Sequence, residues 1–331
     1  MELNNNPSLP SNDQIAAAFE TSYEQDNRKV LSVVCLSTTQ KLRKWILEYL
    51  VTYLNQDGQK EEISLIGKVY SNQEKGKACF QALKYLWEHG MDSEQSNTVI
   101  RPIAYFELYP MLLMTKAPGK SLFELLDCDM GHSQLGPIIA DWLKRLHSVP
   151  IAKLREIKHT RAEVDVTRFY NGLSLVLPEQ HERIKDLYNN MLTKSVKPWT
   201  GYQVMLHGDC NLMNLFIEDK KVTAIDFDHH FLGDPAWDVA YLTCQIQLKG
   251  YLKERNFIHF LPLVKSFIKT YLSDYPEDNR IEFFRRFYLY RARSLFESLH
   301  YELCVLKTGK LDIVNAFLTE CESALQGGDL C

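Results

Sequence analysis

The chain has 331 residues, 45% hydrophobic and 24% charged, enough to bury a sizeable core and to form two lobes. Its net charge of -4 excludes broad binding to a nucleic-acid backbone, which rests on many basic contacts to a polyanion. The sequence opens with no basic region leading into an apolar run, and no uncharged apolar stretch reaches the roughly 18 residues of a membrane span, so neither a nucleic-acid nor a membrane partner is expected and a cytoplasmic location is.

Ser11 is placed to cap a short leading helix carrying Ile15, Ala18, Phe19 and Ser22. From Lys29 to Tyr70 β-branched and aromatic residues dominate, and Trp45, Leu47, Tyr49, Val51 and Tyr53 alternate as a half-buried strand does. Asn55 to Gly58 forms the turn into a third strand, in which Lys68 is a single charge among Ile63, Leu65, Ile66 and Val69. A helix over Asn72 to His89 puts Cys79, Leu83, Leu86 and Trp87 on one face, and the apolar segments Thr98 to Phe106 and Met111 to Met114 complete a sheet packed on that helix.

After Pro118-Gly119, read as a hinge, the pattern becomes helical. Leu135, Ile138, Ile139, Trp142, Leu143 and Leu146 define an amphipathic helix, and the region from Ala236 onward is helical, with Phe283, Phe284, Phe287, Leu295, Leu299 and Leu303 on a buried face. The expected fold class is therefore α+β, with a sheet-bearing lobe over residues 1–116, of which 1–28 are tail and leading helix, and a mainly helical lobe over 117–331.

The helical half is interrupted at His207-Gly-Asp-Cys-Asn-Leu-Met-Asn-Leu-Phe-Ile217 and at Lys221-Val-Thr-Ala-Ile-Asp-Phe-Asp228, a loop, a hairpin and a second loop. Phosphoryl transfer asks for a carboxylate near the acceptor hydroxyl, metal ions on the phosphates and a cation on the phosphates that stay behind. Asp209 can orient and deprotonate an acceptor, Asn214 and Asp226 offer the oxygens magnesium takes, and Lys68 supplies the cation.

These motifs, with Gly233-Asp-Pro-Ala-Trp-Asp238 after them, resemble the aminoglycoside phosphotransferase and choline kinase superfamily. The resemblance runs from about Lys29 to Leu242 and implies a two-lobed protein-kinase-like fold with an antiparallel sheet in the smaller lobe. It implies ATP and magnesium as cofactors, Asp209 as base, Asn214 and Asp226 as metal ligands, and Lys68 on the nucleotide phosphates. Met111 to Leu122 resembles the family's hinge, so Met114, Thr115 and Lys116 are expected at the nucleotide, with the backbone around Thr115 and Lys116 bonding adenine. Leu146-His147 resembles the family's helix end, and Asp228 is expected as a further metal or supporting ligand.

The sequence departs from the family in two places: the first turn, read as Ser37-Thr-Thr-Gln40, has no glycine-rich loop, and Cys79 stands where the glutamate that pairs with the strand lysine is expected, leaving Glu74 as substitute. The expected function is transfer of the ATP γ-phosphate to a hydroxyl of a small molecule: an aminoglycoside, a choline-like alcohol, a sugar or an amino-alcohol. Arg291 or Arg293 would serve an anionic acceptor, or else form structural ion pairs.

Bland readings stand beside the functional ones. His147 and His207 are hydrogen-bonded structural residues, Asp234 and Asp238 helix caps, His132 with Cys128 and Asp129 a surface loop, and the late Trp and Tyr residues core. The eight cysteines, at 35, 79, 128, 210, 244, 304, 321 and 331, are reduced thiols rather than a framework. Two competing functions are a non-catalytic, pseudokinase-like nucleotide binder and a metal-assisted hydrolase using His207, Asp209, Asp226, Asp228, His229 and His230. Nothing in the sequence sets an oligomeric state.

Overall fold

A computed structural model describes residues 9–41, 44–92, 97–128, 132–151, 166–195 and 201–328. The chain forms two compact units, one of Met1–Gly119 with Phe216–Asp228, the other of Lys120–Leu215 with His229–Cys331.

In the first unit Ser11 caps α1 (Asn12–Ser22): its hydroxyl accepts from the Gln14 amide at 3.2 Å, and the Gln14 side chain accepts the Ser11 N–H at 2.9 Å. Strands β1 (Lys29–Lys41), β2 (Lys44–Leu54) and β3 (Lys60–Tyr70) follow, then α2 (Gln73–Glu88), capped by Asn72, and β4 (Asn97–Val99), β5 (Pro102–Phe106) and β6 (Met111–Thr115). The five-stranded sheet has the order β1-β2-β3-β6-β5 with antiparallel pairing throughout. Ser37 to Gln40 are not a turn: they lie inside β1, paired with Glu48, Leu47, Ile46 and Trp45, because the Thr-Thr pair continues the β-branched run of this strand.

Alternation sorts the sheet into two faces. Leu47, Tyr49, Val51, Leu65, Val69, Met111 and Leu113 join Ile15 and Phe19 of α1 in one core. The leading helix, expected only to precede the sheet, thus fills its apolar face. Lys68 and Tyr70 belong to the other set of alternating positions, as does Lys44, which pairs directly with Tyr70 across the β2–β3 ladder.

The second unit contains β7 (Lys120–Ser121), α3 (Leu122–Leu125), α4 (Leu135–Ser148), α5 (Thr167–Val176), α6 (His181–Ser195) and β8 (Val204–Leu206). The chain then forms β9 (Leu215–Glu218) and β10 (Lys221–Ala224), a hairpin whose second strand runs parallel to β4 in the first unit. In the second unit again, β11 (Phe231–Gly233) pairs antiparallel with β8, and α7 (Ala236–Glu254), α8 (Leu261–Tyr271), α9 (Glu277–His300) and α10 (Val314–Leu325) complete the chain. Phe169, Leu173, Leu248, Leu295, Phe296, Leu299 and Phe317 form the core of this helical half. No helix among the described residues is long and apolar enough to cross a membrane.

Candidate active site

In the first unit the β10 strand ends at Ala224 and the chain turns through Asp226, whose φ of 64° is the left-handed conformation a side chain rarely adopts. Such backbone persists where the surroundings over-determine it, and here they are ionic. The Lys68 ammonium lies 2.7 Å from Asp226 Oδ1 and 2.7 Å from Asp228 Oδ2, and Lys44 donates to Asp226 Oδ2 at 3.1 Å. The Tyr70 hydroxyl donates to Asp228 Oδ1 at 2.7 Å.

Lys68 is only 3% exposed, so it is not a solvated strand lysine. Burial works against its charge, yet the Asp226 and Asp228 carboxylates outweigh it and hold its pKa above the usual value. For Asp226 burial opposes the anion in the same way, and Lys68 and Lys44 together draw its pKa well below the carboxylate range.

Glu74 does not take part. It lies exposed in the first turn of α2, where an acidic side chain meets the positive end of the helix, and among the described residues the carboxylate partners of Lys68 are Asp226 and Asp228. Cys79, buried on α2, is near enough to Lys68 and Tyr70 to feel them; burial, then the Asp228 charge, pushes its thiol up to about 12, so it stays neutral.

At the hinge the ladder sets Met114 opposite Ile66 and Thr115 opposite Leu65. The Thr115 amide donates to the Arg101 carbonyl and the Lys116 amide to the Ser64 carbonyl, each at 3.0 Å. The N–H groups of these two hinge residues are therefore used within the protein. Among the described residues the next amide along, Ala117, donates to no protein group.

In the second unit Gly208 makes the turn before Asp209. Its φ is +76°, and a Cβ there would lie 2.0 Å from the His229 carbonyl oxygen, so only glycine fits. Asp238, fully buried in the first turn of α7, fixes this turn: Oδ2 accepts the His207 amide at 2.7 Å, Oδ1 the Gly208 amide at 3.0 Å, and His147 Nε2 lies 3.3 Å from Oδ2. Asp238 thus holds the loop rather than capping its helix. Asp234 does cap, accepting the Ala236 amide at 3.0 Å, and it also takes Arg286 Nε at 2.6 Å. His207 is buried and accepts the Asp209 amide, and His147 hydrogen-bonds the Tyr271 hydroxyl, so both histidines are structural as expected.

Asp209 receives two hydrogen bonds on one oxygen: Tyr241 donates to Oδ1 at 2.8 Å and Asn211 at 3.2 Å. Oδ2 accepts none among the described residues. Asn214, 7% exposed, donates its amide nitrogen to the Asp209 carbonyl at 2.9 Å, which turns its carbonyl oxygen away from that bond and leaves it for a hard cation.

Tyr241 belongs to the late aromatics read as core, and only the fold reveals its role. Burial, then the neighbouring Asp209 and Glu297 charges, raises its pKa well above the usual phenol value, so it remains a donor.

Among the described residues no group of three or more His, Cys, Asp or Glu is arranged to hold a metal ion. His132 bonds the Cys128 carbonyl at 2.8 Å, while Asp129 lies outside the described residues. Arg291 pairs with Gln247 and Glu320, and Arg293 with Glu297 at 2.5 Å under the Trp237 ring, so both arginines are engaged in structural pairs.

A strand lysine held by carboxylates after a β-hairpin, and a glycine turn that presents an aspartate and an asparagine, define a phosphotransferase of the α+β, protein-kinase-like fold. A model of the phosphotransferase enzyme family matches residues 49–262, more than half of the chain, and the chain belongs to that family.

Solved structures agree on the fold. Aminoglycoside phosphotransferase APH(2'')-Ib bound to ADP is similar at 16% identity, covering 95% of this chain and 97% of its own, with a TM-score of 0.52. The streptomycin-ATP complex of APH(2'')-IIa is 15% identical, covers 98% of each chain and has a TM-score of 0.52. A thermostable form of APH(4)-Ia with ADP and hygromycin B is 11% identical, covers 94% of this chain and 98% of its own, and has a TM-score of 0.56. No curated protein matches by sequence.

Proposed function

We propose that the chain transfers the γ-phosphoryl group of ATP to a hydroxyl of a small molecule, with Asp209 as base. The observation that carries this reading is the division of labour within the Asp209 carboxylate, in which Oδ1 is held by Tyr241 and Asn211 and Oδ2 is left to accept a proton. The acceptor oxygen bonds to the γ-phosphorus, the bond from that phosphorus to the β-γ bridging oxygen breaks, and the acceptor proton passes to Oδ2.

The family and the nucleotide complexes among its structural relatives support ATP with magnesium as the cofactors. The donor set suits that ion, since Asp226 offers a carboxylate whose pKa its lysine partners keep low and Asn214 an amide carbonyl. Magnesium, when bound, neutralises charge on the phosphates. Lys68 supplies a fixed cation to the phosphates that stay on the nucleotide, and the hinge of Met114, Thr115 and Lys116 takes adenine, with the Ala117 amide, unpaired among the described residues, as a donor for it. Asp228 is left out of this metal set, because its side chain is 7% exposed with both oxygens held at 2.7 Å, whereas Asp226 is 24% exposed and its second oxygen has only the half-exposed Lys44 at 3.1 Å.

The relatives that bind streptomycin and hygromycin B make hydroxylated, amine-bearing molecules the first acceptors to try. An anionic acceptor loses its argument with Arg291 and Arg293 both paired. Calorimetric titration with ATP, with and without magnesium, beside Asp226→Ala, tests the nucleotide half of this reading. Magnesium-dependent binding lost in the variant is expected. Magnesium-dependent binding that persists undiminished in the variant overturns the metal role of Asp226, and no binding by the wild type overturns the nucleotide reading.

A further inference from the structure

A buried ammonium on a flexible four-carbon stem needs an anion to hold its charge and its direction. In the chain's relatives the resemblance assigned that task to a glutamate on the helix after the third strand. Here that position is Cys79, held neutral by burial, and Glu74 is exposed and unconnected to Lys68.

Two side chains of the first unit fill the place. Asp228 is 7% exposed at its side chain, and its two oxygens face two donors from one strand: Lys68 Nζ on Oδ2 and the Tyr70 hydroxyl on Oδ1, both at 2.7 Å. Lys68 and Tyr70 are two residues apart on β3, so the pleat sends both side chains to the same face. The Lys68 ammonium also lies 4.9 Å from the centre of the Tyr70 ring. Asp226 shares Lys68 at 2.7 Å but is 24% exposed at its side chain, and its second oxygen meets Lys44, itself 31% exposed.

We propose that Asp228, braced by Tyr70, is the positioning residue that anchors Lys68 in place of a helix glutamate, and so stands outside the metal set that the reading above gives to Asp226. The assignment of Lys68 to phosphate rests on the reading above; the anchoring itself does not. One consequence is that the direction of Lys68 is set by β3 and the loop after β10, to which α2 adds only Lys75, 4.0 Å from Asp228 Oδ2.

Two measurements on the full chain test this. Amines of the wild type, Asp228→Asn, Tyr70→Phe and Asp226→Asn are acylated with an activated ester, and the Lys68 peptide is followed by mass spectrometry, with exposed Lys84 as internal control. Loss of an adjacent carboxylate frees the amine, so Asp228→Asn is expected to speed Lys68 labelling roughly tenfold, and Tyr70→Phe a few-fold, with Lys84 unchanged. Labelling at the wild-type rate in both variants overturns the anchor.

Magnesium is then titrated into each protein with ATP present. Asp228→Asn is expected to keep the wild-type half-saturation within about twofold, whereas Asp226→Asn loses it; a loss in Asp228→Asn equal to that in Asp226→Asn makes Asp228 a metal ligand and overturns the assignment. A wild type that takes up no ATP defeats the nucleotide reading, while the labelling result still decides the anchor. Tyr70→Phe keeps the test open should Asp228→Asn fail to fold.

Discussion

The Tyr241 hydroxyl, carried on α7, donates to Asp209 Oδ1 at 2.8 Å. A carboxylate held at one oxygen presents the other in a fixed direction, and a proton acceptor gains rate from direction as well as from basicity. Tyr241→Phe removes that hold without changing the volume of the core by more than one atom. Turnover is expected to fall about tenfold with ATP affinity unchanged, as for a group that acts on the base alone. Steady-state kinetics beside ATP calorimetry checks this; an unchanged turnover number removes Tyr241 from the positioning role.

Asp238 offers a different kind of test, because its acceptor oxygens satisfy the buried amides of His207 and Gly208. Asp238→Ala leaves both amides without their partner and is expected to destabilise the protein by about 3 kcal/mol, from roughly 1 to 3 kcal/mol for each orphaned donor. Urea denaturation measures it. A loss below about 1 kcal/mol would show that water or a shifted loop replaces the carboxylate.

Gly208→Ala places a Cβ 2.0 Å from the His229 carbonyl in backbone of positive φ. Strain and clash together are expected to lower stability by about 2 kcal/mol or more and to turn Asp209 away from its partners. Thermal unfolding and turnover should fall together; a variant of wild-type stability and activity would contradict the geometry of this turn.

The histidine, glycine, aspartate and asparagine of this loop were legible in the sequence because phosphoryl transfer draws on few residue types and fixes their spacing. The strands were legible because Leu47, Tyr49, Val51 and Tyr53 alternate into a core. What could not be read was pairing across the chain. Tyr241 is one aromatic among many until α7 brings it to Asp209. Lys68 appeared to want a glutamate from the neighbouring helix, and its partners instead come from the loop after β10. Residues 37 to 40 stand where a first turn is expected, whereas cross-strand pairing with β2 keeps them extended. The ladder bonds that occupy the Thr115 and Lys116 amides are likewise invisible in the sequence.

The ion cluster of the first unit predicts opposite pH effects at the two ends of the scale. Asp226 has its folded pKa drawn down, so its contribution to stability is complete above the unfolded value of about 3.9 and is lost as the pH falls below it. Lys68 has its folded pKa raised, so its contribution is complete below about 10.4 and is lost only as the pH rises beyond that value. Urea unfolding at a series of pH values should show the acid decline flattened in Asp226→Asn. An acid limb identical to that of the wild type would mean that Asp226 is not held by its lysines in solution.

Phosphate transfer itself is the most direct test of the central claim. Wild type and Asp209→Asn are incubated with magnesium, ATP and a panel of hydroxyl acceptors that includes aminoglycosides, and the phosphorus NMR spectrum is followed. A new phosphate-ester signal is expected from the wild type with at least one acceptor and is expected to be absent from the variant, which still binds ATP. An equal ester signal from Asp209→Asn, or ATP bound by the wild type with its γ-phosphate left in place whatever acceptor is added, would contradict the account.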